Sequence, residues 1–589
     1  MTDYVPPLRD IRFVLEQLAD LAGVCKLGAF EHVDPETVFG VIEESGRFTA
    51  GVVAPLNRVG DTAGCALDSA GNVTTPPGFT DAYRQYVEAG WGAVPFAPEF
   101  GGGGFPWLVT SVMQEMLASA NMAFALCPLL TQGAIELLAH HGSPEQQATF
   151  LEKMVAGEWT GTMNLTEPDA GSDLGAVRTS AVPAGDDTWR ITGQKIFITF
   201  GEHDLASNII HLVLARVPGA PPGTKGISCF IVPKYLINAD GSVGGRNDVR
   251  CVAIEHKLGI HASPTCVMSY GDAGGAVGYL VGEVNQGMRY MFTMMNNARL
   301  SVGLSGLAVA EVAYQQAVAY ALERRQGRAP TAPAGTTSLI VEHADVRRML
   351  LTMRSTIEAM RGLLYFNAEA VDLERHALDE ATRVASRELA DLLTPVSKAW
   401  CTDMGMDLAR LATQVHGGMG YVEETGIAQR ERDIRIAAIY EGTNGIQAMD
   451  LVGRKLAMRS GEVVAEFLRR MEEVSAPPEL VAPLREAIGA LREATAWILA
   501  RGAARPDDAY AAAGPYLRMF GITVGGWVMA HQAVAARALG DDYPYAAAKV
   551  ATARFYCTEL LPQAAGLLPA VRAGADLVLA LPATDLASR

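Results

Sequence analysis

The sequence predicts an α+β protein, mainly helical, in which a central β domain separates two helical regions and a further helical domain follows. Three observations lead to this prediction. The chain has 589 residues, too many for one hydrophobic core. Apolar residues recur at helical spacing in the first 160 residues and again after the β domain. The segment between is rich in β-branched residues and is punctuated by Pro, Gly and Asp.

The N-terminal helical region is predicted from two helix starts. Asp34, Pro35 and Glu36 supply a cap, a first-turn proline and an acid that suits the helix dipole. The sequence 143–146, Ser-Pro-Glu-Gln, has the spacing of a capping box. The glycine run 101–104 is expected to be a loop. We therefore expect an N-terminal extension at 1–34 and a helical N-terminal domain at 35–160.

The central β domain is expected at 161–282. Residues 189–199 are interpreted as two short strands around Thr192-Gly193, and 209–217 and 227–232 as further strands, because they are rich in β-branched residues.

Two apolar stripes predict a helical bundle at 283–460. They run from Val346 to Leu364 and from Leu389 to Val415, the second with an expected kink at Pro395. Stripes of Met and Leu at this spacing are typical of a core rather than of a ligand site.

The remainder of the chain is expected to be a charged, Pro-rich linker at 461–480 and an additional helical C-terminal domain at 481–589. The segment 520–539 is apolar, but His531, Gln532 and Arg537 interrupt it, so we interpret it as a buried helix and not as a transmembrane segment.

Composition excludes several classes of function. The net charge of -17 argues against nonspecific binding of nucleic acid or of an anionic membrane. The 8 cysteines form no CxxC pair and the N-terminus lacks a secretory signal, which indicates reduced thiols in the cytoplasm. Metal-site and P-loop motifs are missing, so we predict no metal. The glycines at 417–420 follow a helical stripe rather than a strand, which leaves a nicotinamide site unsupported.

Four segments carry the functional signal. They are 163–173 (MNLTEPDAGSD), 193–199 (GQKIFIT), 414–421 (QVHGGMGY) and 439–447 (IYEGTNGIQ). In this order and spacing they resemble the acyl-CoA dehydrogenase family over roughly residues 35–460. The flanks, including 4–13 and 516–521, are similar to a larger bacterial branch that includes 3-methylmercaptopropionyl-CoA dehydrogenases and broad-range fatty acyl-CoA dehydrogenases.

The resemblance implies the fold of this family, with a helical N-terminal domain, a β-barrel-like middle domain and a four-helix bundle, plus the additional C-terminal domain. It also implies FAD-dependent oxidation of an acyl-CoA to the trans-2-enoyl-CoA, with Glu441 as the catalytic base. Such a base removes a weakly acidic proton, so it needs an apolar setting that raises its pKa. Ile439 and Tyr440 precede Glu441, and Gly442 leaves room for close approach of a ligand.

The resemblance assigns the remaining site residues. The isoalloxazine edge is expected to meet Met163, Leu165 and Thr166, while Phe197, a Trp in many relatives, covers the ring and Thr199 lies beside N5. Arg324, Gln414, Gly417 and Gly418 are expected to hold the FAD of a neighbouring subunit, and Thr443, Asn444 and Ser172 to contact the flavin. Ser172, Arg299 and Gly442 are the expected acyl-CoA contacts. The thioester oxygen would be held by the Glu441 N–H and a ribityl hydroxyl.

The implied partners are an acyl-CoA substrate, an electron-transferring flavoprotein as electron acceptor, and a second copy of the chain in a homodimer. Two alternatives stay open at this point. One is an acyl-CoA oxidase that passes electrons to oxygen, and the other is a catalytically silent acyl-CoA-binding scaffold on the same fold.

Overall fold

The structure, a computed structural model, describes residues 4–540 and 543–587 and divides into two compact units. The first unit is formed by 43–105 and 116–301, and the second by 6–42, 106–115 and 302–587. The predicted succession of a helical region, a β region and further helical regions is confirmed.

The helices are α1 Leu8–Gln17, α2 Leu21–Val24, α3 Pro35–Phe48, α4 Leu56–Ala63, α5 Phe79–Glu88, α6 Trp107–Ala120, α7 Met122–His141, α8 Pro144–Val155, α9 Gly287–Glu323, α10 Ala344–His376, α11 Glu380–Val415, α12 Ile427–Ile434, α13 Asn444–Asp450, α14 Glu462–Glu472, α15 Pro478–Ala504, α16 Pro506–Ala538, α17 Ala546–Phe555, α18 Gln563–Gly566, α19 Leu568–Arg572, α20 Gly574–Val578 and α21 Ala583–Leu586. The strands are β1 Ala66–Leu67, β2 Val73–Thr74, β3 Trp159–Asn164, β4 Ser180–Pro183, β5 Trp189–Thr199, β6 Asn208–Arg216, β7 Ile227–Pro233, β8 Tyr235–Ile237, β9 Val243–Arg246, β10 Val249–Ile254, β11 Thr265–Tyr270 and β12 Ala276–Leu280.

Both predicted helix starts of the N-terminal region are confirmed. The Asp34 carboxylate accepts the Thr37 N–H at 2.8 Å, and α3 begins at Pro35. Ser143 and Gln146 form the reciprocal capping box that starts α8. The glycine run 101–104 lies in a turn and loop, as expected.

The main sheet has the order β10-β11-β5-β12-β7-β6-β3, and β4 pairs with β5 and β6. Residues 189–199 were interpreted as two strands, and this is wrong: they form the single strand β5. Its partners change at Gly193, from β4 and β12 on one side to β11 on the other. A Cβ at Gly193 would lie 2.5 Å from Thr179 Oγ1, so glycine is needed here for close packing and not to end a strand.

The second unit consists of long helices. Pro395 lies inside α11, and the apolar segment 520–539 lies mostly in the buried part of α16. The segment that we expected to be a linker contains α14. Among the described residues, one helix, α7 in the first unit, is long and apolar enough to cross a membrane, and 89% of its apolar window is buried. Such burial is typical of a core helix.

A buried network of charges joins distant parts of the second unit. The Arg361 guanidinium on α10 is 1% exposed, donates to Glu115 at 2.6 Å and to Glu311 at 2.8 Å, and also pairs with Asp10 of α1. Lys549 on α17 is fully buried and pairs with the same Asp10. Asp10 therefore connects the N-terminal extension, the bundle and the C-terminal domain through one carboxylate.

Candidate active site

The first candidate segment is the loop that follows β3, in the first unit. Lys195 of β5 donates from Nζ to the Leu165 carbonyl at 2.9 Å and to Glu167 Oε1 at 2.8 Å. The Ile196 N–H donates to the Thr166 carbonyl at 2.9 Å. Two successive carbonyls of the loop are thus fastened to two successive residues of a strand.

Glu167 extends this anchor to the next segment. Its carboxylate accepts the backbone N–H groups of Arg178 at 2.7 Å and Thr179 at 3.0 Å, as well as the Thr179 hydroxyl. Burial lowers the pKa of Lys195 to about 8, although the Glu167 carboxylate opposes this shift. Burial alone would raise the pKa of Glu167, but the Lys195 ammonium and the hydrogen bonds lower it below its usual value. We conclude that both groups are charged at neutral pH.

Thr166 in this loop has two hydrogen-bond donors that are available to a ligand. Thr166 is half-buried, and within the described part of the chain neither its amide N–H nor its hydroxyl has a recorded partner. A donor pair on a loop whose carbonyls are already bound suits the acceptor-rich edge of a flavin. The residues present therefore fit the group that the resemblance implies.

Phe197 and Thr199 lie close by on β5. Phe197 has a left-handed backbone (φ 58°), and its ring is 58% exposed, which is unusual for a large aromatic residue in a strand. The Thr199 carbonyl accepts the Thr162 hydroxyl at 2.7 Å. Strained backbone that turns an aromatic ring outward is typical of a ligand-binding surface. Ser172 lies further along the first loop and is exposed.

A second candidate segment is the loop that carries Glu441, in the second unit. Glu441 and Gly442 both have left-handed backbones, with φ of 57° and 81°. The Thr443 hydroxyl then accepts the Ile446 N–H at 3.1 Å and caps α13. Gly442 adopts this conformation freely, whereas Glu441 is strained there. Burial raises the pKa of the neighbouring Tyr440, and the Glu441 carboxylate raises it further.

Asn444 anchors this loop to α11. Its amide oxygen accepts from the fully buried Lys398 ammonium at 2.8 Å, and its amide nitrogen donates to Asp403 at 2.6 Å and to Thr402 Oγ1 at 3.0 Å. Burial raises the pKa of Asp403, although the Asn444 hydrogen bond opposes the shift. The Asn444 side-chain amide is therefore fully engaged with α11.

The predicted residues fall into two groups. Met163, Leu165, Thr166, Ser172, Phe197, Thr199 and Arg299 belong to the first unit, and Arg324, Gln414, Gly417, Gly418, Glu441, Gly442, Thr443 and Asn444 to the second. Arg299 is 7% exposed and lies over the Phe292 ring.

Arg324, Gln414, Gly417 and Gly418 are exposed. Gln414 lies in the last turn of α11, and the other three follow the ends of α9 and α11. They are joined on this surface by Tyr421, whose side chain is 94% exposed.

Sequence reasoning missed the residues that hold the two loops. Lys195 and Glu167 lie inside two of the recognised motifs, yet neither was given a role, and Lys398 and Asp403 were not singled out. A signal was present for Lys195, since it shares one face of the alternating strand with Ile191 and immediately precedes the apolar run 196–198, where a buried lysine needs a partner. For Lys398 the signal is weaker, because a lysine on a helix is ordinarily exposed.

Four family models match successive parts of the chain. They are described as the acyl-CoA dehydrogenase N-terminal domain (residues 41–158), middle domain (162–273) and C-terminal domain (285–457), and as acetyl-CoA dehydrogenase C-terminal like (462–582).

Relatives match along almost the whole length. The 3-methylmercaptopropionyl-CoA dehydrogenase of Ruegeria pomeroyi is 45% identical, over 95% of this chain and 96% of its own. The broad-specificity linear acyl-CoA dehydrogenase FadE5 of Mycobacterium tuberculosis is 33% identical, over 95% and 96%. The solved acyl-CoA dehydrogenase complexed with FAD from Bacillus anthracis shares the fold, with a TM-score of 0.74, 20% identity and coverage of 95% of this chain and 90% of its own.

Proposed function

The chain belongs to the acyl-CoA dehydrogenase family and is an oxidoreductase that acts on acyl-CoA, and from this premise we propose that it converts a saturated acyl-CoA thioester into the trans-2-enoyl-CoA. The family is FAD-dependent, and we assign FAD to this chain. The observation that carries the proposal is Glu441, a carboxylate with a strained backbone, two residues before the cap of α13 and three before the anchored Asn444. Strain that the surroundings maintain in this way is typical of catalytic positions.

Glu441 is the proposed base. Its carboxylate takes the proton from the carbon next to the thioester carbonyl, and its backbone N–H holds the developing charge on the thioester oxygen. FAD, when bound, supplies the acceptor for the hydride that leaves the next carbon. Thr443 and Asn444 keep the loop in place, because one caps α13 and the other is tied to α11.

The resemblance assigns FAD contacts to residues of each group. Met163, Leu165 and Thr166 offer a loop with occupied carbonyls, and Phe197 and Thr199 lie next to it on β5. We place Ser172, Arg299 and Gly442 at the acyl-CoA.

We also propose a homodimer in which each FAD is contacted by both subunits. The exposure of Arg324, Gln414, Gly417 and Gly418 supports this, since it leaves these positions accessible to the FAD of a second subunit. Sedimentation of the purified flavoprotein measures it, and a monomer that keeps its full FAD would contradict it.

The remaining assignments follow from the resemblance. We propose an electron-transferring flavoprotein as the electron acceptor and a cytoplasmic location, the latter supported by eight free cysteines, seven of them buried. The predicted domain boundaries also stand as proposals.

The test is anaerobic bleaching of the flavin by a panel of acyl-CoA thioesters. We would use linear substrates of increasing length and 3-methylmercaptopropionyl-CoA, the substrate in the name of one relative. Bleaching by at least one of them is expected, and the panel also identifies the acyl group. A yellow protein that no thioester bleaches would instead be a silent scaffold. Repeating turnover with oxygen and with an artificial acceptor separates a dehydrogenase from an oxidase.

Glu441→Gln tests the base itself. The amide keeps the shape and the strained backbone but removes the proton acceptor, so bleaching should slow by at least about a thousandfold while FAD content stays normal. Glu486→Gln, on an exposed site of α15, is the matched control. Near-normal bleaching by Glu441→Gln would assign the base to another residue.

A further inference from the structure

The buried ion pair of Lys195 and Glu167 has a consequence for the electronic properties of the site. Lys195 is fully buried, and its ammonium donates to two residues of one loop, Leu165 and Glu167. A buried lysine of this kind costs free energy unless its charge is well paired. Glu167 pairs it at 2.8 Å, yet Nζ also lies 2.9 Å from the Leu165 carbonyl.

That carbonyl belongs to the same peptide group as the Thr166 N–H. A cation bound to the oxygen of an amide withdraws electron density from its nitrogen and makes the N–H a stronger donor, and hydrogen bonds in a chain strengthen one another in this way inside a protein. The Thr166 N–H has no recorded partner among the described residues. Its strengthened donor capacity is therefore available to a ligand.

We propose that Lys195 is a positioning residue that tunes the bound flavin, by polarising the Leu165–Thr166 peptide so that its N–H stabilises the reduced cofactor more than the oxidised one. The inference rests on the proposed function, because the resemblance places Thr166 at the isoalloxazine edge. Two-electron reduction adds negative charge to that edge, and a stronger donor favours the form that carries more charge.

The role of Glu167 differs from that of Lys195. Glu167 keeps the ammonium charged and aligned and ties the loop to Arg178 and Thr179, but it does not touch the polarised peptide. Removing Lys195 and removing Glu167 should therefore have different effects on the flavin, although both disturb the same ion pair.

The experiment measures the two-electron midpoint potential of the bound FAD by reductive titration with dithionite, without any acyl-CoA. Lys195→Met should favour oxidised over reduced FAD about tenfold relative to the parent, which is a fall of about 30 mV for a two-electron couple. Lys195→Arg keeps a cation at this position and should retain most of the parental potential. Glu167→Gln leaves Nζ at the Leu165 carbonyl but removes the carboxylate that keeps it charged. Its potential should therefore match the parent at low pH, where the ammonium persists, and fall toward that of Lys195→Met as the pH rises. Lys153→Met, which breaks the exposed 2.7 Å pair with Glu158 in the same unit, is the control.

A double variant protects the test against misfolding. Lys195→Met leaves Glu167 buried without its cation, whereas Lys195→Met combined with Glu167→Gln removes both charges and should still show the lowered potential. Parental potentials in Lys195→Met and in the double variant would overturn the proposal. Equal shifts in Lys195→Met and Glu167→Gln at every pH would also overturn it, because they would indicate a purely structural pair. Failure of the parent to bind FAD would overturn the proposed function as well, whereas unshifted potentials in a protein that acyl-CoA bleaches would overturn this inference alone.

Discussion

Lys195 in the first unit and Lys549 in the second are both fully buried and both paired with a carboxylate, yet they serve different ends. Lys195 lies on β5 of the eight-stranded main sheet and holds the loop that carries proposed cofactor contacts. Lys549 joins Asp10 of the N-terminal extension to the C-terminal domain and touches no predicted site residue. The burial of a lysine therefore does not indicate its role. Its role follows from the segment to which its carboxylate partner belongs.

We expect the largest effect on stability from removal of the C-terminal domain, from about residue 470 onward. Trp527 of α16 packs on Phe366 of α10 with ring centroids 5.2 Å apart, and the carbon atoms of Trp400 fill the space beside Gly521. Truncation would expose this core and remove Lys549, one of the two cations paired with Asp10. We expect a large fall in thermal stability or in dimer content, measured by calorimetry and sedimentation in detergent-free buffer.

The competing role for this domain is a membrane anchor. In that case the truncated enzyme would remain stable and active but would no longer sediment with lipid vesicles. That pair of results would overturn the structural role.

The second prediction concerns the ion network alone. Lys549→Met leaves Asp10 and Glu358 buried with one cation fewer, which should lower the free energy of unfolding by about 3 to 5 kcal/mol. Chemical denaturation measures this, with the exposed Lys26→Met as control. The flavin potential should not move. A shifted flavin potential in Lys549→Met would contradict this difference between the two lysines, because the pairing of Lys549 with Asp10 would then influence the flavin.

Lys398 is an intermediate case, since it is buried like the other two but holds the Glu441 loop through Asn444. Asn444→Ala should slow flavin bleaching about tenfold by releasing the loop, and should leave the potential unchanged. It also leaves the Lys398 ammonium without this acceptor, at a cost of about 1 to 3 kcal/mol. Stopped-flow bleaching and denaturation measure the two effects, with Asn238→Ala in an exposed turn as control. An unchanged bleaching rate would show that the loop does not depend on this anchor.

The smallest predicted effect is a pH dependence of stability in the second unit. Burial raises the pKa of Glu369 on α10 to about 7, although Arg470 opposes the shift. Between the unfolded pKa of 4.5 and the folded pKa of about 7, Glu369 is protonated in the folded protein but ionised in the unfolded chain. The free energy of unfolding therefore falls as pH rises through this window. Glu369→Gln should therefore stabilise the protein by about 1 to 2 kcal/mol at pH 8 and by little below pH 4.5. Denaturation at both pH values measures this. A gain of equal size at both would point to packing instead of charge.

The sequence allowed local features to be predicted well. The helix starts at Asp34 and Ser143 depend on neighbours a few residues apart, and both are present in the structure. The interpretation of 189–199 failed because Gly193 was taken as a turn, whereas close packing with Thr179 explains it. Contacts between distant positions had no signal in a single sequence. Asp10 and Lys549 are far apart in the chain, and only the folded helices bring them together.

The same division holds within the candidate site. The motifs pointed to Glu441 and Thr166, but not to the left-handed backbone of Glu441, which a glycine would adopt more easily. Nor did they reveal that the amide of Asn444 is engaged with Lys398 and Asp403. Backbone conformation and hydrogen-bond allocation depend on surrounding helices whose placement the local sequence does not encode.

The left-handed backbone at Glu441 lowers the stability of the protein at the position that we propose to be essential for activity. A glycine at this position would relieve about 1 kcal/mol of backbone strain and at the same time remove the proposed base. Selection of this protein for heat resistance alone would therefore favour inert variants at position 441. The residue persists only where turnover itself is selected, so any engineering of a more robust form must screen for bleaching together with melting temperature.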